Sequence, residues 1–584
     1  MKIKYSDIIK KQPIINIGTI GHVASGKSSI TRQITGIKTQ RFSKEKIKNI
    51  TIEIGYGNAK IFMDKHNNYH TTNSNINELK DNDGEQMKLI KHISIVDCPG
   101  HESYMSNMIN GSAVMDACIL VIASNEIIPQ SQAVEHLKAV EILNIDNYII
   151  LQNKLDLIKK EDNNNKLNKI KKFVKGTKAE NSVIIPTSIQ NNINIDKILN
   201  SIINLPSINR QINIQPKMII IRSFDINKCN KNYKNLKGGV IGGSLIQGHL
   251  KINDIVELRP GFIIKQNDKT YYKPIISKII SLKSDNRELE YAFPGGLIGI
   301  GLQLDPSLTK NNNMVGQILG HIGKLPEVSI GLKLEYNYIE RKNTKIKFIK
   351  KEKIIICVNS MRINGEIHHL KKKKMTISLE NPICIESNEK IVILKRILGK
   401  WKVNAYGLIY ETLNCEKIDL DKNYNKLLNS NKIEKIEIIN DINYEKKEEV
   451  TYNEMLKNVL FRENFNFKLN IKIPNVRYKF PITNFINFIE ILNNLKLSDK
   501  INVNYKNLMI NFFKKELSCN IEEGSTNNIN LRGKFSQKNI TSIISKFAKF
   551  HLTCLSCNTP KTYLNKIDKI IYRNCLICNS VSSI

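Results

Sequence analysis

The residues that decide the fold are Ile15–Ser28, which read INIGTIGHVASGKS. The first part is a β-branched run of strand length, and the rest matches the phosphate-loop pattern G-x-x-x-x-G-K-S/T. A helical pattern follows, which is the context that this pattern requires. The glycines let backbone amides surround phosphates, Lys27 supplies a positive charge, and Ser28 offers a hydroxyl to Mg²⁺. The loop residues predicted to bind the nucleotide are Gly21, His22, Val23, Ala24, Ser25, Gly26, Lys27, Ser28 and Ser29.

Two further motifs, each after a predicted strand, indicate that the nucleotide is GTP. In DCPG, Asp97 can hold Mg²⁺ through water and the Gly100 amide can contact the γ-phosphate. In NKLD, the Asp156 carboxylate can accept the N1 and 2-amino protons of guanine, which adenine does not offer. Asn153 and Lys154 complete that motif. We therefore predict GTP and GDP as ligands and Mg²⁺ as a cofactor.

Further positions are assigned from their place in this series of motifs. Ser188, Ile189 and Gln190 follow the strand-like run SVIIPT, where a guanine-contacting loop is expected. Thr51 lies between the phosphate loop and DCPG, so its hydroxyl can join Ser28 and Asp97 at Mg²⁺ while GTP is bound. His101 follows DCPG and is the candidate catalytic residue, which orients the attacking water. A surface or partner-contacting histidine is an equally supported interpretation of His101.

The composition separates this chain from several classes of protein. It has 584 residues and a formal net charge of +35, from 89 Lys and Arg against 54 Asp and Glu. That charge suits a polyanionic partner such as nucleic acid, although a codon bias toward Lys, Asn and Ile also raises it. The strongest apolar run, Ala117–Ala123, is far shorter than the roughly 18 residues of a membrane span. Because the cysteines are mostly isolated and no secretory signal is present, we expect a cytoplasmic protein without a membrane partner.

The pattern of elements along the chain predicts several domains. Strands that alternate with helices predict an α/β P-loop GTPase domain at 13–206. Short strands between Gly-rich turns predict two β-barrels, at 213–330 and 331–415. The polar stretch at 416–449 is typical of a linker.

The remainder of the chain predicts three smaller parts. Residues 450–464 begin as an amphipathic helix, 475–550 indicate a small α+β domain, and 551–584 carry two C-x₂-C pairs. Two such pairs, separated by 17 residues, match a structural zinc ribbon that binds one Zn²⁺. Two disulfides are the alternative, which a reducing cytosol disfavours. The predicted zinc ligands are Cys554, Cys557, Cys575 and Cys578.

Several segments within residues 13–411 together resemble the gamma subunit of eukaryotic translation initiation factor 2. They read GTIGHVASGKSS, NITIEIGYGNAKIF, IVDCPGHESYMSNMINGS, RSFDINK and PGGLIGIG. The resemblance implies a GTPase that carries initiator methionyl-tRNA to the small ribosomal subunit and hydrolyses GTP slowly unless it is stimulated. It also implies a separate alpha subunit, a GTPase activator and a guanine nucleotide exchange factor as partners. By the same resemblance, Tyr56 borders the aminoacyl end of the tRNA.

The last part of the chain, from Val450 to Ile584, resembles the beta subunit of the same factor. The segments that carry this resemblance are VTYNEMLKNVLF, TNFINFIEI, LRGKFSQKNI and the cysteine-bearing tail. The sequence therefore reads as a gamma–beta fusion. In the family a beta-subunit helix docks on the GTPase domain, which here implies contacts from Tyr452, Met455, Leu456 and Val459.

The sequence also departs from the family pattern. Ser25 replaces a histidine of the phosphate loop, and Ile189 replaces a small residue in the guanine loop. The insert at 62–91 lacks the cysteines of the gamma-subunit zinc knuckle, so only one zinc is predicted. Lysine blocks before the docking helix are reduced to residues such as Lys446 and Lys447. Two alternatives remain open: an elongation-type tRNA carrier and a non-hydrolysing RNA-binding scaffold.

Overall fold

The computed structural model divides the chain into two compact units, Met1–Phe465 and Asn466–Ile584. No helix within the described part of the chain is long and apolar enough to cross a membrane. The structure describes residues 1–39, 45, 51–81, 83–159, 161–206, 208–227, 237–267, 269–339, 347–397, 400–418, 433–442, 444, 447, 450–456, 479–481, 505–517, 521–523, 528–531, 543, 546–552, 554, 562–567, 570–575 and 581–583.

The first unit opens with a short strand and helix and continues into a seven-stranded sheet. The opening elements are β1 (Lys2–Lys4) and α1 (Tyr5–Lys11). The sheet consists of β2 (Ile15–Gly21), β3 (Gly55–Met63), β4 (Tyr69–Asn73), β5 (Lys88–Asp97), β6 (Ala117–Ala123), β7 (Asn147–Asn153) and β8 (Ile184–Pro186). Its order is β4-β3-β5-β2-β6-β7-β8, and all pairings from β5 to β8 are parallel.

Helices cover both faces of this sheet, which explains the continuous apolar runs in its central strands. Every residue of β2 and β6 is buried, as expected for a parallel sheet with two covered faces. Ile17 and Ile119 contribute to the core on one face, whereas Ile20 and Leu120 contribute to the core on the other. The helices are α2 (Lys27–Thr35), α3 (Met105–Ser112), α4 (Ser131–Ile142), α5 (Asp162–Val174) and α6 (Ile195–Asn204).

A first β-barrel follows the sheet domain. Its strands form a closed six-membered ring, β12-β17-β9-β10-β16-β13, because β12 also pairs with β13. The ring strands are β9 (Lys217–Phe224), β10 (Val240–Gln247), β12 (Ile255–Gln266), β13 (Lys269–Ser284), β16 (Leu297–Leu302) and β17 (Ile318–His321). The short strands beside the ring are β11 (Leu250–Lys251), β14 (Arg287–Leu289) and β15 (Tyr291–Ala292).

A second closed barrel follows the first. The order of its strands is β18-β21-β20-β19-β22-β23. It is filled by aliphatic side chains such as Leu332, Ile356 and Ile393. The predicted boundary between 330 and 331 falls inside its first strand. Its strands are β18 (Val328–Tyr338), β19 (Lys353–Val358), β20 (Met361–Lys371), β21 (Lys374–Cys384), β22 (Lys390–Ile397) and β23 (Lys400–Asn414).

The predicted linker contains two short strands, each paired to a distant element. β24 (Glu416–Lys417) pairs in parallel with β13, and β25 (Glu437–Ile439) pairs in parallel with β1. The Met1 ammonium donates to the Lys435 carbonyl oxygen at 2.9 Å. The Asn213 side chain holds Ile436 by two backbone hydrogen bonds, both of 2.9 Å. Residues 433–442 are therefore fixed on the first unit.

The second unit contains two small sheets in its described residues. The first sheet has the order β26-β28-β27, and the second has the order β29-β30-β31. The elements are β26 (Lys479–Pro481), α7 (Tyr505–Leu517), β27 (Ile521–Glu523), β28 (Asn528–Leu531), a π-helix (Ala548–Leu552), β29 (Thr562–Ile567), β30 (Ile570–Cys575) and β31 (Val581–Ser583).

Of the four predicted zinc ligands, two fall among the described residues. Cys554 is buried, and Cys575 is the last residue of β30. Cys557 and Cys578 lie outside the described residues. Within the described part of the chain, no three His, Cys, Asp or Glu side chains are grouped as metal ligands.

Candidate nucleotide site

A cavity of 390 Å³ lies where β2 ends and α2 begins. Because parallel strands end at one edge of a sheet, the loops after β2, β5 and β7 meet there. His22 and Ser25 belong to the phosphate loop without lining this cavity. The lining residues are Val23, Ala24, Gly26, Lys27, Ser28, Ser29, Arg32, Lys38, Thr39, Thr51, Gly100 and His101.

Two glycines in these loops occupy positions where a side chain would not fit. Gly26 has a φ of +113°, and a Cβ there would lie 2.3 Å from the Asn153 Nδ2. A Cβ on Gly100 would lie 2.4 Å from the Lys27 Nζ and 3.0 Å from the His22 carbonyl oxygen. These close approaches explain in steric terms why both motifs require glycine.

Lys27 is buried in the phosphate loop and held by backbone carbonyls. Its Nζ donates to the carbonyl oxygens of Gly21 at 3.1 Å and His22 at 2.5 Å. Burial lowers the pKa of Lys27 to about 8, and the nearby Asp97 charge opposes this shift. A phosphate placed in the cavity would supply the negative charge that this ammonium lacks.

Three oxygen-bearing side chains meet beside the phosphate loop. The Ser28 Oγ lies 3.0 Å from the Thr51 Oγ1. Asp97 is fully buried and accepts hydrogen bonds from Thr19 at 3.2 Å and Thr39 at 2.6 Å. Burial raises the pKa of Asp97, and the hydrogen bond from Thr39 is the largest opposing influence. Hydroxyl and carboxylate oxygens fit Mg²⁺, which prefers hard oxygen ligands and retains several waters.

His101 lies at the rim of the same cavity. Its Nδ1 accepts a hydrogen bond from the Ser103 backbone N–H at 3.2 Å. A neutral imidazole that accepts at Nδ1 carries its proton on Nε2. The Tyr104 ring centroid is 5.9 Å from the His101 ring centroid. The apolar side chain of Val23 also lines the cavity.

The NKLD loop and the Ser188 loop are joined to each other and to the phosphate loop. The Asn153 Nδ2 donates to the Ser25 carbonyl oxygen at 2.8 Å, and its Oδ1 accepts from the Ile189 N–H at 3.2 Å. The Ser188 hydroxyl donates to the Asp156 Oδ1 at 2.6 Å. The structure therefore brings Asn153, Asp156 and Ser188 together beside the phosphate loop.

The other residues predicted in these two loops, Ile189, Gln190 and Lys154, differ in solvent exposure. Ile189 is 3% exposed, and its side chain packs in the core with Ile30 and Ile34 of α2. Its bulk is therefore accommodated in the core. Gln190 is exposed, and Lys154 is partly exposed with a left-handed φ of 62°.

Two residues of the site belong to no recognisable sequence motif. Thr39 donates to Asp97, yet it lies in a segment without a recognisable pattern. His136 is a fully buried residue of α4 whose Nδ1 accepts from the Gly21 N–H at 3.3 Å. Burial is the main cause that lowers the pKa of His136 to about 3, so the imidazole supports the phosphate loop as a neutral acceptor.

Tyr56 lines a second cavity, of 810 Å³, which is formed by β3 and by strands of the first barrel. The Arg222 guanidinium carbon is 5.5 Å from the Tyr56 ring centroid. Arg222 also donates to the Glu53 carboxylate at 3.2 Å and to the Ile54 carbonyl oxygen at 2.8 Å. Burial raises the pKa of Tyr56, so its phenol stays protonated at neutral pH.

Residues 450–456, here called the docking segment, pack on the GTPase domain. Residues 452–456 are helical. Met455 is 2% exposed and belongs to the core that covers one face of the sheet. Leu456 packs against Leu155 and Ile193. Val459, the fourth predicted contact, lies outside the described residues.

Three known families match separate parts of the chain. Residues 12–207 match the elongation factor Tu GTP binding domain. Residues 330–409 match the C-terminal domain of the gamma subunit of eukaryotic initiation factor 2. Residues 462–581 match a domain found in initiation factors 2B and 5.

Similar proteins cover most of the gamma-like region. The chain is 40% identical over 427 residues to eukaryotic translation initiation factor 2 subunit 3 of Drosophila melanogaster, covering 69% of this chain and 90% of that protein. It is 42% identical over 424 residues to the gamma subunit of Schizosaccharomyces pombe, covering 69% of this chain and 95% of that protein.

Two solved structures share the fold at low sequence identity. One is the elongation factor SelB of Methanococcus maripaludis, with a TM-score of 0.52 and 19% identity, covering 71% of this chain and 81% of that one. The other is a bacterial selenocysteine-specific elongation factor, with a TM-score of 0.52 and 19% identity, covering 96% of this chain and 90% of that one.

The sheet domain, its nucleotide loops and the two barrels define a GTPase of the translation-factor class. The chain belongs to the family of the gamma subunit of eukaryotic translation initiation factor 2, with a beta-subunit-like region fused behind it. It is thus a GTP-dependent translation initiation factor that binds GTP and GDP and has GTPase activity.

Proposed function

We propose that this protein binds initiator methionyl-tRNA in its GTP state, delivers it to the small ribosomal subunit and releases it after GTP hydrolysis. The observation that carries this proposal is the short segment from Thr51 to Tyr56. Its first residue contacts Ser28 at the phosphate loop. Its later residues are bonded to Arg222 of the first barrel and line the 810 Å³ cavity. A change at the γ-phosphate therefore has a direct route to that cavity.

The 810 Å³ cavity is the proposed site for the aminoacyl end of the tRNA. Tyr56 and Arg222 together offer an aromatic face and a cation, which suit a nucleobase or an esterified ribose. Several glycines of the first barrel, among them Gly242 and Gly299, also line it and leave room for a ligand. The net charge of +35 favours a polyanionic partner such as tRNA or ribosomal RNA.

In this proposal each nucleotide-site residue has a defined role. The phosphate loop, 21–29, donates backbone amides and the Lys27 ammonium to the phosphates. The Gly100 amide contacts the γ-phosphate. Asn153 and Lys154 position the base loop, and Asp156 accepts the guanine protons. Residues 188–190 close the other edge of the base.

Ser28, Thr51 and Asp97 would hold Mg²⁺, which neutralises charge on the phosphate oxygens when bound. The His101 Nε2–H then orients the attacking water by donating to its oxygen, while the Ser103 N–H fixes the ring at Nδ1. Because His101 lies at the rim of the cavity, a ribosome-associated activator can place it. In this proposal, hydrolysis is therefore slow in the free protein.

For the tail we propose one structural Zn²⁺, held by Cys554, Cys557, Cys575 and Cys578. Thiolates are suitable ligands, and the two C-x₂-C pairs have the spacing of a zinc ribbon. Metal analysis of the purified chain should give one zinc per molecule. Cys554→Ser should lose it, whereas Cys384→Ser in the second barrel should retain it.

The remaining partners are proposed from the family. A separate alpha subunit, a GTPase activator and a guanine nucleotide exchange factor would act on this chain in the cytoplasm. The reduced lysine content before the docking segment implies that the activator and the exchange factor bind differently from their usual mode.

The test is binding of charged and uncharged initiator and elongator tRNAs in the presence of GTP or GDP. We expect charged initiator tRNA with GTP to bind most tightly, and Tyr56→Ala to weaken that binding without changing GDP affinity. Equal binding of elongator tRNA would support an elongation-type carrier instead. Absence of phosphate release with ribosomes and activator would support a non-hydrolysing scaffold.

A further inference from the structure

The docking segment contacts the end of β7 and residues of the loops that follow β7 and β8. These contacts come from the beta-like region, which begins near residue 450, roughly 300 residues after the first of those loops.

A hydroxyl group makes the contact at the end of β7, immediately before the first loop. The Tyr452 hydroxyl lies 2.5 Å from the Gln152 Oε1 and 3.2 Å from the Asn163 Oδ1. Gln152 is fully buried and directly precedes Asn153, and its Nε2 donates to Asn163 at 2.9 Å. The Gln152 carbonyl oxygen also accepts from the Thr187 N–H at 2.8 Å, which joins the two loops.

The contact to the second loop is made by a buried asparagine. The Asn194 Nδ2 donates to the Pro186 carbonyl oxygen at 2.7 Å and to the Met455 carbonyl oxygen at 2.8 Å. Asn194 is 4% exposed and follows the Ser188 loop closely. The side-chain amide of Asn194 therefore links Met455 of the docking segment to Pro186, the last residue of β8.

An apolar contact lies between these two polar ones. Leu456 packs against Leu155, which lies between Lys154 and Asp156, and against Ile193. The three contacts fall on the end of β7, on the loop that follows β7 and on the loop that follows β8. Such contacts reduce the number of conformations available to the loops before the base binds.

We propose that the docking segment fixes the guanine loops and thereby slows the release of guanine nucleotide, with Tyr452 as the positioning residue. Tyr452 acts through Gln152 and touches neither nucleotide nor metal. The inference rests on the proposed function in one respect, because it takes Asp156 to be the acceptor of the guanine protons. It makes the beta-like region a determinant of nucleotide affinity.

The test is the rate of GDP dissociation from the full chain, measured with a fluorescent GDP analogue, for wild type and Tyr452→Phe. The substitution keeps the ring in place and removes one buried hydrogen bond, so we expect dissociation to accelerate about three- to tenfold. The matched control is Tyr444→Phe. Tyr444 packs on the same face of the sheet, and within the described residues its hydroxyl bonds to neither guanine loop. The control should leave the rate unchanged.

Inosine diphosphate, which lacks the 2-amino group, distinguishes positioning from general loosening. We expect Tyr452→Phe to reduce the preference for GDP over inosine diphosphate, because Asp156 is less well placed. Leu456→Ala should shift both quantities in the same direction by a smaller factor. Equal acceleration for both nucleotides, or no acceleration of GDP release, would overturn the inference. A wild-type chain that holds GDP no better than inosine diphosphate would instead refute the assignment of Asp156.

Discussion

The nucleotide site has a phosphate side and a base side, and they are held together differently. On the phosphate side, Lys27 bonds to the carbonyls of residues five and six positions before it. On the base side, Asn153 bonds to Ser25, which is 128 residues away. The phosphate side is the loop at 21–29 with Asp97 and Gly100. The base side is the two loops at 152–156 and 186–194. One side is built mainly by local backbone geometry and the other by contacts between distant elements.

This difference shows that the two sides respond to different influences. The lysine of the phosphate loop is held by local carbonyls, and one distant side chain, His136, supports the loop at the Gly21 N–H. The base side depends on three elements at once, because Asn153 bonds to both the phosphate loop and the Ser188 loop. Affinity for the base is therefore the property that a remote part of the chain can alter.

The largest effect is expected at Asp156, on the base side. Asp156→Asn replaces a charged acceptor of two hydrogen bonds, and at about 1.5–3 kcal/mol each the loss is roughly 1000-fold in GDP affinity. An amide can donate to the 2-oxo group of xanthine, so xanthosine diphosphate should bind better to the variant than GDP does. Calorimetry with both nucleotides checks this, and a variant that still prefers GDP would contradict the assigned base side.

A smaller loss is expected at Lys27, on the phosphate side. Lys27→Ala removes one charge-assisted interaction with phosphate, and we expect GDP affinity to fall about 100-fold. GDP and inosine diphosphate should lose affinity equally, since the base is not involved. Lys38→Ala, at the rim of the same cavity, is the control and should change affinity far less. Unequal losses of affinity for GDP and inosine diphosphate would contradict the division of the site into a phosphate side and a base side.

The pH dependence of binding should also belong to the phosphate side. The pKa of Lys27 is about 8 without phosphate, and bound phosphate raises that pKa, so binding takes up a proton above pH 8. GDP affinity should be constant between about pH 7 and 8, above the second pKa of phosphate at about 6, and fall by up to about tenfold for each unit above pH 8. Lys27→Arg, which stays charged, should flatten the profile. A sloping profile in the arginine variant would assign the titration to another group.

The smallest effect is expected at Thr39, which no motif identified. Thr39→Val removes the hydrogen bond to Asp97 and keeps the shape of the side chain. The Mg²⁺ concentration that is needed to slow GDP release should therefore rise about threefold. Thr35→Val is the matched control, because its hydroxyl bonds only to backbone groups among the described contacts, donating to the Thr31 carbonyl and accepting from the Ile37 N–H. Identical Mg²⁺ titrations for Thr39→Val and wild type would exclude a contribution of this threonine.

The fold was predictable to the extent that its signals are local in sequence. Buried β-branched runs predicted the parallel sheet, and Gly-rich turns predicted two barrels; the structure confirms both. The two short strands in the predicted linker were not foreseen. β24 and β25 have two and three residues and pair through the backbone, so their side chains carry no periodicity.

The candidate site divides in a similar way. The motifs led to Lys27, Asp97 and Asp156 because spacing alone defines them. His136 was missed, because a single histidine in a helical pattern is equally consistent with a core residue, and its bond to Gly21 spans 115 positions. Tyr452 was predicted only as a contact of the docking helix. The bond from its hydroxyl to Gln152 joins two distant stretches of sequence that no local pattern relates.

The pairing of β1 with β25 has a consequence for how the chain is made. Met1 and Lys435 are 434 positions apart, so β1 has no partner strand until both barrels have been translated. Closing so long a loop carries an entropic cost that sheet and barrel formation first reduce. β1 and β25 should therefore be among the last elements of the first unit to acquire their structure.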